Sequence, residues 1–165
     1  MDDLYNNKND LFLDPPKWKE NIWVTNEQEN EFEVYVKNGG KLFMHHAGHC
    51  YYHNNGAITK LAKATHGGHP DRVNIEIYPT GDLPELTEGI KSFTIKDEEF
   101  RMDIQDSTTI FLKSHSKEHG TSNQGWAHDY GDGKVVVLVP GHYSDGLDHK
   151  MVRKLISNAI DYLMN

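Results

Sequence analysis

The run Val135-Val136-Val137-Leu138-Val139, ending at Pro140-Gly141-His142, restricts the fold more than any other stretch. A strand with one wet face alternates apolar and polar residues. An unbroken apolar run belongs to a strand covered on both faces. Gly131-Asp132-Gly133 supplies a hairpin-like turn into it. Cover on both faces calls for helices on both sides, so the chain reads as α/β.

The other elements fit that reading. Thr25 followed by Gln28 is a capping-box start, and Phe32, Tyr35 and Val36 give the helix one apolar face before Asn38-Gly39-Gly40 stops it. Residues 41–44 make a short buried strand, and residues 56–64 a helix with Ile58, Leu61 and Ala62 inward. Val73–Tyr78 alternates as a half-covered strand. Phe93–Ile95 and Thr108–Leu112 are further strands. Residues 149–164 place Val152, Leu155, Ala159, Ile160 and Leu163 at helical spacing. Residues 1–24 read as an irregular segment, residues 25–165 as one domain, and residues 113–125 as a polar, mobile loop.

Charge and length exclude several classes. The formal net charge of −8, with no basic stripe, argues against a nucleic-acid surface. No apolar stretch has the roughly 20 residues of a spanning helix. The start, Met1-Asp2-Asp3-Leu4, lacks a signal pattern. A cytoplasmic protein with a small-molecule ligand is expected, with no nucleic-acid or membrane partner. A homo-oligomer stays open.

Eleven histidines are spread along the chain, and three segments concentrate them: His45-His46-Ala47-Gly48-His49, His66-Gly67-Gly68-His69-Pro70, and Pro140-Gly141-His142. Two follow strands, and strand ends form the ligand rim of open α/β sheets. Histidine suits both proton transfer near neutral pH and metal ligation. His46, His49 and His142 are therefore candidate acid–base groups or ligands of a divalent metal such as zinc. Cys50 is the sole cysteine; it lacks the small-residue elbow of a nucleophile and reads as an ordinary thiol.

The order of motifs resembles the trehalose-utilisation (ThuA-like) family. The matching residues are Thr25-x-x-Gln28, Val36-Lys37-Asn38-Gly39-Gly40-Lys41-Leu42, His46, Gly67-Gly68-His69-Pro70 and Leu86-Thr87-Glu88-Gly89-Ile90. They continue with Phe93-x-x-x-Asp97-Glu98-Glu99-Phe100, Trp126-x-x-x-Tyr130-Gly131-x-Gly133-Lys134-Val135 and Gly141-His142. The resemblance implies a flavodoxin-like, class I glutamine amidotransferase-like fold with a mostly parallel sheet. The family's usual N-terminal strand–helix–strand unit has no counterpart here, and Asp82-Leu83-Pro84-Glu85 stands where a His-Pro is often found.

It further implies carbohydrate metabolism: breakdown of a disaccharide whose 3-keto form a partner oxidoreductase supplies. The match makes Asp97 and Glu98 catalytic candidates beside His46 and His142, and His69 a pocket residue. Glu99 stays an ordinary acidic residue. Trp126 either stacks on a sugar or caps the core beside Tyr130, and His49 joins His69 as a binding candidate. His115, His119 and His128 read as surface residues. The expected enzyme is a sugar-processing hydrolase, lyase or isomerase. The alternative is a catalytically silent sugar- or metabolite-binding, regulatory module. A glutamine amidotransferase is a distant third, because Ser144 stands where its triad has a carboxylate.

Overall fold

The computed structural model describes residues 24–49, 52, 56–69 and 71–165. Residues 1–23, Cys50, Pro70 and the side chain of His49 lie outside the described residues, and with them the readings made of those positions.

Helix α1 spans Asn26–Lys37 and carries the expected capping box. The Gln28 N–H donates to Thr25 Oγ1 at 3.2 Å, and the Thr25 N–H to Gln28 Oε1 at 2.9 Å. Only Val36 of its apolar triplet is buried; Phe32 and Tyr35 are exposed. Strand β1 (Lys41–His45) follows, then a 3₁₀ turn (His46–His49) and α2 (Ala57–Ala62). Strands β2 (Ala64–His66), β3 (Val73–Pro79), β4 (Phe93–Asp97) and β5 (Met102–Ile104) come next. Strands β6 (Thr109–Ser116), β7 (Gly120–Tyr130) and β8 (Gly133–Leu138) precede the short α3 (Ser144–Leu147) and the long α4 (Lys150–Met164).

Six strands form one sheet in the order β1-β8-β7-β6-β3-β4, and β2 pairs with β5 separately. The fold is mixed α/β, but the expected mostly parallel sheet is corrected. Only β1 and β8 are parallel neighbours, and the other four pairings are antiparallel. The cause is the segment read as a mobile loop. Residues 113–125 complete β6 and most of β7, a hairpin that reverses the chain. Its inward side chains are polar, so apolar alternation gave no signal. Ser114 and Ser116 donate to the buried Glu99 carboxylate, and Ser122 and Gln124 to the Phe100 carbonyl.

Strand β8 is covered on both faces, as its composition demanded. Val136 and Leu138 pack with Val152, Leu155 and Ala159 of α4. Val135 and Val137 pack with Val36 of α1 and with Ile58 and Leu61 of α2. Trp126 lies in this second layer, fully buried, its indole N–H donating to the Ala62 carbonyl at 2.8 Å. No helix among the described residues is long and apolar enough to cross a membrane.

Strand directions position the site. From β8 across the sheet, the antiparallel pairings alternate direction, so β4 runs the same way as β8 and β1. The C-terminal ends of β1, β4 and β8 therefore face one edge. Five strand spacings separate β1 from β4, which is about 24 Å in a flat sheet. The Gly141 N–H nevertheless donates to Asp97 Oδ2 at 2.7 Å. The sheet curls until the end of β4 meets the ends of β8 and β1.

Candidate active site

Three strand ends deliver the cluster. His46 follows β1, Glu98 follows β4, and His142 lies four residues after β8. His46 adopts φ 49°, a left-handed conformation that costs a non-glycine residue about 1 kcal/mol or more. The strain turns the chain out of β1 and aims the imidazole inward. The other turn needs glycine: Gly141 has φ 112°, and a Cβ there would meet Val152 Cγ1 at 3.2 Å and His45 Nε2 at 3.3 Å.

Asp97 is fully buried and acts on the backbone. Its Oδ2 accepts from the N–H groups of Gly141 and His142, and its Oδ1 from Glu98. It fixes the turn bearing His142 against the residue bearing the carboxylate. The described bonds of Asp97, expected as a catalytic residue, go to main-chain N–H groups and hold the turn in place.

Glu98 is the hub. Its Oε2 lies 3.4 Å from His46 Nε2 and 3.8 Å from His69 Nδ1; its Oε1 lies 3.7 Å from His142 Nε2. Burial pushes the carboxyl up. The contact with His46 and the nearby imidazoles of His69, His142 and His46 outweigh it, so the group is held below the ordinary carboxylate range and is an anion at neutral pH.

His46 and His142 bond to one another, with His142 Nδ1 2.7 Å from His46 Nε2. The far nitrogen of His46 faces the Val139 carbonyl at 2.9 Å. A carbonyl only accepts, so His46 Nδ1 carries a hydrogen. When each ring holds one proton, His46 Nε2 accepts from His142 Nδ1–H, and His142 Nε2 presents a lone pair. One added proton reverses the pair. His46 then donates from Nε2, and His142 Nε2 carries the hydrogen. The His142 side chain is 40% exposed, so its outer nitrogen can reach a ligand.

The other candidates divide. His69 joins the cluster, its ring stacked on buried Phe100 at 5.2 Å. Trp126 does not line the site; its burial excludes a stacking role, and that expectation is corrected. The Asp97-Glu98-Glu99 run is buried throughout rather than solvated, and Glu99 is bonded to two serines. His128 is not a free surface residue. Burial lowers its pKa to about 4, helped by Lys63, against an opposing bond to the Leu61 carbonyl. Arg72 and Tyr143 were missed. Tyr143 reaches Glu98 Oε1 at 3.4 Å, and Arg72 covers its ring at 4.1 Å. Adjacency to His142 was the one signal for Tyr143.

His46, Glu98 and His142 each offer an atom within 4.8 Å of the others, and two imidazoles with a carboxylate suit zinc or a similar divalent ion.

The chain matches the family described as trehalose utilisation (ThuA) over residues 11–163, and it belongs to that family. Many solved structures share its fold, three of them as follows. A putative ThuA-like protein from Parabacteroides merdae is 14% identical, with a TM-score of 0.71, over 83% of this chain and 64% of its own. One from Bacteroides uniformis is 16% identical, with a TM-score of 0.68, over 84% and 64%. The cytoplasmic protein STM3548 from Salmonella typhimurium is 12% identical, with a TM-score of 0.66, over 86% and 62%. The chain thus spans less than two thirds of their length. Comparison with curated proteins gave no match.

Proposed function

We propose that the chain is an enzyme of disaccharide catabolism that acts on an oxidised, trehalose-type sugar bearing a keto group, with proton transfer through His142 and His46. The 2.7 Å imidazole pair beside the Glu98 carboxylate carries the reading. The hydrogen on the carbon next to the keto group leaves as a proton to His142 Nε2. Its electron pair moves toward the carbonyl oxygen and forms an enolate. That proton stays on Nε2 while His142 passes its Nδ1 proton to His46 Nε2, and Glu98, 3.4 Å away, stabilises the charge on His46. A lyase, an isomerase and a retro-addition hydrolase can all begin with this step. The family's name supplies the substrate class. A glutamine amidotransferase-like placement of the site belongs to the same proposal, supported by helices on both faces and imidazoles at strand ends. The name of the Salmonella relative supports a cytoplasmic setting.

The test is H142Q with a 3-keto-disaccharide. Turnover should fall by about 10²–10⁴ while calorimetric binding of the sugar persists. A wild-type protein that binds but never turns over keto-disaccharides would favour a silent binding module.

The 3.4–3.8 Å separations around Glu98 support a second reading, in which a divalent ion replaces the shared proton. His46, Glu98 and His142 would hold it, and it would polarise the sugar carbonyl. Mass spectrometry of the purified protein should then show metal near one per chain, lost in E98Q.

A further inference from the structure

We infer that Tyr143 is a catalytic hydrogen-bond donor to the substrate oxygen, positioned by Arg72. This rests on the keto-sugar reading above and supplies the group that reading lacks. Enolate formation needs a base at carbon and a donor at oxygen. Glu98 is an anion and donates nothing. His142 Nε2 must present a lone pair to act as the base. The Tyr143 hydroxyl is a neutral donor in the same small volume. It lies 3.4 Å from Glu98 Oε1, the oxygen that His142 Nε2 approaches at 3.7 Å. The base and the hydroxyl thus flank one atom. A contact of 3.4 Å is long for O–H···O⁻, so the hydroxyl is loosely held and can turn to a better acceptor.

The ring is firmly placed. It meets the His142 ring edge-on, with centroids 4.4 Å apart. The Arg72 guanidinium lies over the ring at 4.1 Å from its centroid. Arg72 Nε donates to the Lys96 carbonyl of β4 at 2.7 Å, and its Nη2 binds the Asp145 carboxylate in α3. One arginine therefore ties Tyr143 to the strand that delivers Glu98 and to the helix after His142. A planar, forked cation does this; a lysine offers neither the flat stack nor the two directed bonds. Arg72 is a positioning residue.

The experiment compares wild type, Y143F, R72K and the double variant. It follows exchange of the hydrogen beside the carbonyl of 3-keto-trehalose with deuterium from solvent. Y143F keeps the ring and its stack. It should slow exchange about 100-fold with a small change in KM. R72K should slow exchange in the wild-type background and add nothing in the Y143F background, a coupling that general loosening of the fold would not give. Exchange in Y143F equal to wild type, at equal thermal stability, overturns the inference and leaves the keto-sugar reading standing. A wild-type protein that neither binds nor exchanges keto-disaccharides overturns both.

Discussion

Glu98 and Glu99 are neighbours in sequence, both buried, and they have opposite fates. Glu99 accepts from Ser114 and Ser116 at 2.6 Å each, one hydroxyl for each oxygen. Its acceptors are answered at short range by the hairpin of β6 and β7. The described side-chain contacts of Glu98 are three imidazoles and a phenol at 3.4–3.8 Å. Those groups converge on the carboxylate without closing on it. Burial alone does not separate structural from chemical carboxylates. Partner distance and partner type do, because hydroxyls that saturate an anion stabilise a fold, while titratable rings held slightly apart leave room for a proton, a metal or a substrate.

The comparison can be broken at several points. E98Q removes the anion that stabilises a protonated His46, and turnover of a 3-keto-disaccharide should fall about 10³-fold with the thermal midpoint changed little. E99A should do the reverse. Two buried hydroxyls lose their acceptor and a cavity opens, so denaturant unfolding should show a loss of about 2–4 kcal/mol. If E99A unfolds no more easily than wild type, the division between the two residues fails. S116A leaves one Glu99 oxygen bare and removes the hydroxyl that accepts from the His119 N–H, at a cost of about 1–3 kcal/mol.

The smallest effect concerns His128, outside both groups. Its folded pKa of about 4 lies below the unfolded value of 6.5, so protonation opposes folding. Its contribution is fully present above pH 6.5 and is lost as pH falls toward 4. Denaturation across that window should show wild type losing about 1–2 kcal/mol more than H128Q, after discounting for partial exposure.

The sequence announced the site better than the sheet. Strand ends at His46 and His142 were legible because apolar runs stop there, and those two imidazoles meet. The capping box at Thr25 and Gln28 was legible because both bonds are local. The β6–β7 hairpin was not. Its inward serines and glutamine answer a carboxylate and a carbonyl that are distant in sequence, so no hydrophobic period marked it. The same blindness hid the antiparallel majority, since the hairpin sets the directions. Trp126 was ambiguous by composition, and only packing assigns it to the core. Arg72 acts through Tyr143, a contact made by the curl of the sheet, which a linear pattern cannot reveal.

The most direct measurement is magnetic resonance of a 3-keto-disaccharide in deuterated water with wild-type protein and with E98Q and H142Q. Wild type should erase the proton signal beside the keto carbon, and each variant should do so at least 100-fold more slowly. Equal rates in all three, or signal loss no faster than without protein, would contradict proton transfer at this cluster.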